Sequence, residues 1–211
     1  YSAYYDIGYA TSPDGITWTK HPSNPVLPAS GSWDSWVTRI GSVIWDEPAQ
    51  LYKMWYTGGS AWFNTLQVGY ATSPDGVNWS RQLTPVFTYG DVVEWPDNDV
   101  EVAKNGSLYE MYFSSSAHDI RLAVSSDGLN WQAANCSPIL SPSSSGWDSI
   151  LVQYASVLRD GDCGLRMWYS GWVGNNTNSM IGLASFEPDD DGDGLPNACD
   201  GCPNDPTKSS P

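Results

Sequence analysis

The chain has 211 residues and a formal net charge of −15 at pH 7, with 24 acidic residues against 9 Lys plus Arg. Negative charge of this size makes nucleic acid and anionic membrane surfaces poor partners. The composition includes 12 Trp, 12 Tyr, 20 Gly and 15 Pro, which is typical of an extracellular or cell-surface all-β protein, and no apolar run is long enough for a transmembrane segment.

A motif near the start of the chain recurs along it. The first copy runs from Ile7 to Trp18, and related stretches follow at 68–79, at 120–131 and, in shortened form, from Ile181. The first three copies end in Ser-x-Asp-Gly-x-x-Trp, where Asp and Gly favour a hairpin turn because Gly accepts a positive φ. Recurrence indicates a structural element rather than an active-site loop, and Trp18, Trp79 and Trp131 are expected to pack between repeats.

Four strands are predicted in the full repeat between Arg39 and Phe87. We place them at about 39–45, 51–57, 66–72 and from about 78 toward 87, from their alternation and their Tyr, Trp and Val content. Four short antiparallel strands per unit predict a blade of a β-propeller. A β-sandwich is the alternative, but a sandwich would not need the same aromatic motif in every repeat.

The repeats divide into blade segments at 1–27, 38–87, 97–140 and 150–185. Two segments hold all the strands of a blade, one lacks the first strands and one lacks the last, which makes about three and a half blades where a closed ring needs about four to eight. We therefore expect either that further residues precede this segment, or that a homo-oligomer or polymer supplies the missing strands from another copy.

Other repeated motifs identify a family resemblance over about residues 1–186. These are Gly-x-Trp-Asp at 31–34, Met-Trp-Tyr-x-Gly at 54–58 and 167–171, and Val-Gly-Tyr-Ala at 68–71, with Trp147-Asp148 as a second Trp-Asp pair. They resemble the five-bladed propellers of the glycoside hydrolase clan that contains arabinanases, β-xylosidases and fructan-cleaving enzymes. Because Asp34 and Asp148 recur with the repeat, we expect them to be structural and to cap turns.

The resemblance implies catalysis by paired carboxylates near the starts of the innermost strands. Aligned residues at this position are Ser42, Glu101 and Ser156, with Ile40, Asp99 and Tyr154 two positions earlier. Only Asp99 matches the carboxylate position of the family, and strand alternation places Asp97, Asp99 and Glu101 on one face. These three are the candidate catalytic or sugar-binding residues, and an acidic edge held by a salt bridge is the alternative.

The composition changes abruptly at Glu187, which separates residues 1–186 from an acidic tail at 187–211. The spacing of the tail is that of a loop that wraps Ca²⁺ with oxygen ligands. The predicted ligands are Asp189, Asp191, Asp193, the Leu195 carbonyl, Asn197 and Asp200. The stretch Cys199-Asp200-Gly201-Cys202-Pro203 resembles a thrombospondin type 3 repeat, which implies a calcium-binding connector. The alternative is a disordered acidic linker.

Cysteines and glycosylation sequons give further expectations for an extracellular chain. Four cysteines can pair in three ways, and pairing by region would join Cys136 to Cys163 and Cys199 to Cys202. The acidic context of the second pair argues against zinc or redox chemistry. The candidate acceptor residues for N-glycosylation are Asn78, Asn105, Asn135 and Asn175.

Two functions remain open from the sequence. The first is a secreted or cell-surface module with a calcium-stabilised stalk, a non-catalytic structural, adhesive or carbohydrate-binding building block. The alternative is a glycoside hydrolase that acts on a plant-type or microbial polysaccharide through carboxylates at the propeller axis. Three carboxylates that converge on an open axial pocket would favour the enzyme, whereas a carboxylate-poor axis would favour the building block.

Overall fold

The computed structural model describes residues 5–60, 66–88, 100–134, 138–159, 165–174 and 179–186, and these residues form β-strands without an α-helix. Accordingly, they include no helix that is long and apolar enough to span a membrane. The strands in these ranges are β1 (Ala10–Thr11), β2 (Thr19–Lys20), β3 (Val37–Asp46), β4 (Leu51–Gly59), β5 (Gln67–Ser73), β6 (Ser80–Arg81), β7 (Phe87–Thr88), β8 (Val100–Asn105), β9 (Leu108–Ser114), β10 (Ile120–Ser125), β11 (Gln132–Ala133), β12 (Leu151–Arg159), β13 (Leu165–Trp172) and β14 (Met180–Phe186).

The described strands form four antiparallel sheets, each from strands that follow one another in the chain. Sheet I is β1-β2, sheet II is β3-β4-β5-β6 with β7 also on β5, sheet III is β8-β9-β10-β11, and sheet IV is β12-β13-β14. The prediction of four-stranded antiparallel blades, two of them complete, is confirmed. The predicted fourth strand of sheet II is split into β6 and β7, with Pro85 between them, which has no N–H to donate to a ladder.

The chain divides into two compact units, residues 1–99 and 100–211. The first unit contains sheets I and II, and the second contains sheets III and IV. The core of the first unit joins residues of sheet II to a pair of residues that flank the strands of sheet I: Met54, Tyr56 and Ala71 with Ile7 and Leu27. The core of the second unit joins residues of both its sheets: Tyr112, Ile120, Leu122, Val152, Met167 and Tyr169. In the second unit, two neighbouring sheets therefore bury their faces against each other, as propeller blades do.

The Ser-x-Asp-Gly-x-x-Trp motif forms a turn with its own hydrogen bonds. In the first copy, Oδ1 of Asp14 accepts from the backbone N–H groups of Ile16 and Thr17, both at 2.8 Å. The N–H of Gly15 donates to Oγ of Ser12 at 2.8 Å. The copies at 73–79 and 125–131 repeat this pattern. The three turn glycines have φ near +75°, as predicted: +74°, +75° and +77°.

The tryptophan of this motif donates a hydrogen bond within its own turn. The indole Nε1 of Trp18 donates to the carbonyl of Gly15 at 3.2 Å, and Trp79 and Trp131 make the equivalent bond at 3.0 Å. Trp79 also packs against the core of the first unit. Trp18, by contrast, is 61% exposed, so the prediction that it packs between repeats is wrong. The hydrogen bond to the turn accounts for a Trp at this position even where no neighbour covers the ring.

The aspartates of the repeated Trp-Asp pairs are buried beneath the second strand of their sheets, and the tryptophans are half-buried. Asp34 is fully buried, and its Oδ2 accepts from the hydroxyl of Tyr56 at 3.0 Å and from Nη1 of Arg81 at 2.7 Å. Trp33 stacks on the Tyr56 ring, with centroids 5.9 Å apart. Asp34 is thus structural, as predicted, but it bonds side chains of two strands instead of capping a turn.

Sheet IV repeats the same arrangement. Asp148 accepts from the hydroxyl of Tyr169 at 2.9 Å, and Trp147 stacks on that ring at 5.6 Å. A Cβ on Gly171 would lie 2.5 Å from side-chain atoms of both Trp147 and Asp148. The Asp and Tyr of this arrangement are 22 residues apart in sheet II and 21 apart in sheet IV, and the same close-packed unit forms in both.

Candidate functional site

The structure describes only part of the predicted site. Glu101 lies on β8, whereas Asp97 and Asp99 lie outside the described residues. The calcium ligands, the cysteines and two sequons lie outside them as well: Asp189, Asp191, Asp193, Leu195, Asn197, Asp200, Cys136, Cys163, Cys199, Cys202, Asn135 and Asn175. Over the part of the chain that is described, no group of three or more His, Cys, Asp or Glu side chains is arranged to hold a metal ion.

Glu101 occupies a position where the other two first strands carry serine. It pairs with Tyr112 of β9, just as Ser42 pairs with Trp55 and Ser156 pairs with Trp168. The predicted equivalence of these three positions is therefore confirmed by the strand register. Glu101 is half-buried, and its charge contributes to the raised pKa of Tyr112, after burial and the nearer Glu110.

The sequence also predicted that the residues two positions earlier, Ile40, Asp99 and Tyr154, are equivalent to one another. This equivalence does not hold for every strand. In β3 the register shifts between Ile40 and Ser42, and Ile40 pairs with Tyr56. In β8 the described register is continuous, and Val100 pairs with Phe113, the counterpart of Tyr56. Ile40 is therefore equivalent to Val100 by pairing, because a β-bulge adds one residue to β3.

A second bulge lies in β12, between Gln153 and Ser156. Within it, Tyr154 has a φ of +56°, a conformation that costs a non-glycine residue about 1 kcal/mol or more and that clusters at functional sites. His118, in the loop between β9 and β10, has a φ of +65°. Its carbonyl accepts from the N–H of Val152 at 3.0 Å. One strained residue therefore makes this hydrogen bond between sheets III and IV, and the other, Tyr154, lies two residues from Val152.

The end of sheet III departs from the repeat at several positions together. In sheet II, the Tyr56 ring lies over Gly69, where a Cβ would be 2.3 Å from Cζ of the ring. Sheet IV has the same pairing of Tyr169 with Gly182, at 2.6 Å. In sheet III the tyrosine is replaced by phenylalanine and the glycine by arginine, and the paired residues are Phe113 and Arg121.

Arg121 is held by a buried carboxylate. Its Nε donates to Oδ1 of Asp119 at 2.9 Å, and its Nη2 donates to Oδ2 at 3.3 Å. Asp119 is 5% exposed and also accepts from the hydroxyl of Ser115. The Arg121 side chain is 36% exposed. A guanidinium that is fixed on one edge and accessible at its surface can bind carbohydrate oxygens or an anionic group in a defined orientation.

The sequence analysis did not select this group, although a signal for it was present. Arg121 is the one arginine at the second position of the Ile/Val-x-Tyr/Leu-Ala motif, where Gly8, Gly69 and Gly182 stand in the other copies. Arg121 pairs with Phe113, which in turn pairs with Val100, so Arg121 lies on the side of sheet III opposite Glu101. Glu101 and Arg121 therefore lie at the same end of the sheet but point to different faces.

Glu110 is a carboxylate of a different kind. It is 2% exposed and accepts from Nη2 of Arg159 at 2.7 Å to both oxygens, from Nδ2 of Asn105 at 2.9 Å and from the Tyr112 hydroxyl at 2.9 Å. Burial, and then the charge of Glu110, raise the pKa of Tyr112 well above its usual value. This network joins sheet III to sheet IV, and its carboxylate is fully engaged in that contact.

The two described sequons differ in their surroundings. Asn78 is exposed, and its Nδ2 donates to Oδ2 of Asp75 at 2.7 Å within the turn. It also lines an open groove of about 410 Å³ beside His21, where Asp75 already accepts several turn hydrogen bonds. Asn105 is half-buried in the Glu110 network. Glycosylation remains a prediction, and Asn78 has the more accessible side chain of the two.

No protein-family model matches the sequence. An uncharacterized protein of Mycobacterium tuberculosis is 28% identical over 169 residues, which cover 72% of this chain and 52% of that protein. An A type blood N-acetyl-alpha-D-galactosamine deacetylase of Flavonifractor plautii is 24% identical over 210 residues, which cover 80% of this chain and 26% of that protein. The chain thus spans about half the length of the mycobacterial relative and about a quarter of the length of the deacetylase.

Solved structures with similar folds are carbohydrate-active proteins. A glycoside hydrolase has a TM-score of 0.71 at 21% identity and covers 87% of this chain and 57% of its own. A β-1,2-mannobiose phosphorylase from Listeria innocua has a TM-score of 0.62 at 18% identity, with coverages of 98% and 53%. A GH32 β-fructofuranosidase from Bombyx mori has a TM-score of 0.59 at 19% identity, with coverages of 85% and 39%. The chain therefore has an all-β fold of the glycosidase-like β-propeller type.

Proposed function

We propose that this chain belongs to a carbohydrate-active propeller that binds a glycan at the end of sheet III and cleaves a glycosidic bond there. The sequence alone favoured a non-catalytic module. The similar solved structures are glycoside hydrolases and a phosphorylase, which favours the alternative that the sequence left open. The similarity in fold supports a carbohydrate as the ligand, and the side chains of sheet III support the end of that sheet as the binding site.

The joint departure of sheet III from the repeat carries the proposal. Residues that only build a blade recur in every blade, as the turn Asp and the Trp-Asp pairs do. At the end of sheet III, Glu101, Phe113 and Arg121 replace residues that the other sheets share. The Asp119 carboxylate then fixes the new guanidinium. A blade that gives up its repeat residues at one end, and gains a fixed guanidinium there, is suited to a site whose ligand reaches across the end of the sheet, since Glu101 and Arg121 point to different faces.

Hydrolysis of a glycosidic bond requires two carboxylates with different roles. One protonates the leaving oxygen of the glycosidic bond, and the other activates water or attacks the sugar. Asp99 and Glu101 are the candidates on this chain, with Asp97 beside them, and the role of Asp97 and Asp99 rests on the sequence. Arg121 would orient the sugar through the exposed part of its guanidinium, which Asp119 holds in place.

Other buried carboxylates are poorly suited to this chemistry. Asp34 and Asp148 bond tyrosine hydroxyls beneath their sheets, and Glu110 is paired with Arg159. All three are buried, which leaves no access for a substrate. These three carboxylates are therefore set aside as acids for this reaction, and Glu101 on β8 is the described candidate.

Binding and cleavage can be tested separately. The 211-residue protein is incubated with β-1,2-mannobiose, sucrose and arabino-oligosaccharides, and binding is followed by saturation-transfer NMR while products are followed by their anomeric signals. Arg121→Gly restores the residue of the other copies and is expected to weaken binding at least tenfold. Asp99→Asn and Glu101→Gln are expected to slow cleavage by about 100-fold or more, with binding retained.

Lys104→Gln is the matched control, because Lys104 is an exposed cation on the same sheet that pairs with Tyr109 at the other end of β9. It should leave both readouts unchanged. Binding without cleavage by any of the three sugars would reject the catalytic proposal in favour of a carbohydrate-binding building block. Absence of binding to the whole panel, or a loss in Lys104→Gln equal to that in Arg121→Gly, would reject the site.

We further propose that residues 187–211 form a calcium-stabilised connector of an extracellular protein. Seven acidic residues and one Lys stand in this stretch, and their spacing suits the oxygen ligands of Ca²⁺. The thrombospondin type 3 resemblance and the two predicted disulfides are consistent with an oxidising compartment. These residues lie outside the described ranges, so the proposal rests on the sequence.

A further inference from the structure

Sheet IV has one covered face and one exposed apolar face. Val152, Met167 and Tyr169 pack against sheet III in the core of the second unit. The register of β12, β13 and β14 places four apolar side chains on the opposite side. We call this the end face: Leu158, Trp168, Ile181 and Leu183, which are 57%, 36%, 78% and 60% exposed. Adjacent apolar side chains with this exposure mark a surface for association.

The other sheets show what covers such a face. By strand register, the counterparts of Trp168, Ile181 and Leu183 in sheet III are Tyr112, Ile120 and Leu122, and these are 2%, 0% and 2% exposed. They are covered by sheet IV. The counterparts in sheet II are also buried: Trp55, Val68 and Tyr70. The partner that fits the end face is therefore another sheet of the same repeat.

Sheet I carries the complementary exposed surface. Trp18 is 61% exposed and Ile16 is 84% exposed. Trp79, the counterpart of Trp18 in sheet II, packs against the core that sheets I and II share. The same motif position is thus covered in one copy and exposed in the first copy. A second molecule of this chain would bring these two exposed apolar side chains, which lie in the turn between β1 and β2.

We infer that the 211-residue chain associates with a second copy of itself, with sheet I of one copy on the end face of the other. Such an interface uses two different surfaces, so successive copies either close a ring or extend as a chain. The net charge of −15 on each copy opposes the contact. Added salt screens this repulsion, since the Debye length falls from about 10 Å at 0.1 M to about 3 Å at 1 M.

Analytical ultracentrifugation over a range of protein concentrations tests this arrangement. The wild-type protein should exceed the mass of one chain at high concentration, and more so in 1 M than in 0.1 M salt. Leu183→Glu blocks the end face, and Trp18→Glu blocks sheet I. Each should weaken self-association at least tenfold. Leu83→Glu is the control, because Leu83 is 83% exposed in the loop between β6 and β7 and belongs to neither surface.

A mixture of the two blocked variants provides the sharper result. Leu183→Glu retains sheet I, and Trp18→Glu retains the end face, so together they should form a one-to-one dimer and nothing larger. Near-UV circular dichroism confirms that each variant is folded, and Ile181→Lys replaces Leu183→Glu if that variant unfolds. A wild type that stays monomeric in high salt, or a mixture that gives no dimer, would overturn the inference.

Discussion

Nη2 of Arg159 on β12 lies 2.7 Å from both carboxylate oxygens of Glu110 on β9, and this contact joins sheets III and IV. Glu110 is buried, whereas the Arg159 side chain is 34% exposed. Removal of the arginine would leave a buried carboxylate without its countercharge. We expect Arg159→Met to lower the free energy of unfolding of the protein by about 3–5 kcal/mol, measured by urea denaturation.

Arg166→Met is the control for this substitution, because Arg166 is an exposed arginine on the neighbouring strand β13, and it should cost less than about 1 kcal/mol. The double variant Glu110→Leu with Arg159→Met removes both charges and should recover much of the loss. Equal effects of the two single arginine substitutions would show that the Glu110 pair does not stabilise the contact between the sheets.

Gly69 and Gly8 hold the same position of the repeat but meet different surroundings. A Cβ at Gly69 would lie 2.3 Å from the fully buried Tyr56 ring, whereas at Gly8 the nearest atom is 3.6 Å away, in the Asn24 side chain. We expect Gly69→Ala to cost about 1–3 kcal/mol through overpacking, and Gly8→Ala to change the stability by less than about 0.5 kcal/mol. Thermal unfolding of the two variants would contradict this if the losses were equal.

The turn aspartates should remain ionised in acid. The backbone N–H groups of Thr17, Asn78 and Asn130 are the largest causes of the lowered pKa values of Asp14, Asp75 and Asp127. Since these pKa values are lower in the folded state, the turns contribute stability that is present above the unfolded pKa of about 3.9 and is lost as the pH falls through the folded values. Carboxyl ¹³C NMR between neutral and acidic pH measures each titration.

Asp75→Asn supplies the comparison, because asparagine cannot titrate. The stability of the wild type should fall more steeply than that of Asp75→Asn below the unfolded pKa of an aspartate, about 3.9. Identical acid profiles for the two proteins, or a carboxyl titration of Asp75 at the ordinary pKa, would contradict the role of the turn hydrogen bonds.

Three tyrosines should resist ionisation in alkali. Burial is the largest cause of the raised pKa values of Tyr56, Tyr112 and Tyr169, and the neighbouring Asp34, Glu110 and Asp148 add to it. Stability that these groups contribute is fully present below the unfolded pKa of about 10 and is lost as the pH rises through the folded values. The tyrosinate absorbance of the folded protein should therefore rise in two stages.

Phenylalanine variants assign the second stage. Tyr56→Phe should reduce the late absorbance by one tyrosine and leave the early stage unchanged. Tyr9→Phe is the matched control, since Tyr9 is only half-buried and its ring lies tilted beside that of His21, with centroids 6.0 Å apart. A single titration in which all tyrosines ionise together while the protein is still folded would contradict the prediction.

Calcium should order the acidic tail and leave the sheets unaffected. With excess EDTA, we expect the backbone amide signals of residues 187–211 to collapse to the positions of an unstructured chain, because the crowded carboxylates then repel one another. Asp191→Asn and Asp193→Asn should weaken calcium binding, measured by calorimetry, whereas Asp205→Asn outside the predicted ligand set should not. Unchanged tail signals in EDTA would refute the calcium assignment.

Strand positions and turns were predictable because their causes are local. The predicted strand at about 51–57 corresponds to Leu51–Gly59, and the one at 66–72 corresponds to Gln67–Ser73. The alternation of apolar and polar residues and the Asp-Gly turns determine the bounds of these strands to within a few residues. The equivalence of Ser42, Glu101 and Ser156 also followed from a regular spacing, since each lies opposite the aromatic residue of the next strand.

Features that depend on distant segments were not predictable in this way. Arg81 reaches Asp34 across 47 residues, so the partner of the repeated aspartate could not be read from its neighbours. Bulges in β3 and β12 add residues without a sequence signal that the motif reveals. The candidate site at Arg121 could be recognised only by comparing the residues at the same position of each sheet. Arginine replaces the glycine there, and its strand partner is Phe113 instead of tyrosine.

The turn of the repeat has an evolutionary consequence. All the hydrogen bonds described for the first copy join residues between Ser12 and Trp18, so within the described ranges the polar contacts of the turn are internal to it. A blade with a self-sufficient turn can be duplicated or deleted as a block without a compensating change at that edge. Its neighbours need only supply an apolar face, which leaves the number of blades free to change while the turn sequence stays the same.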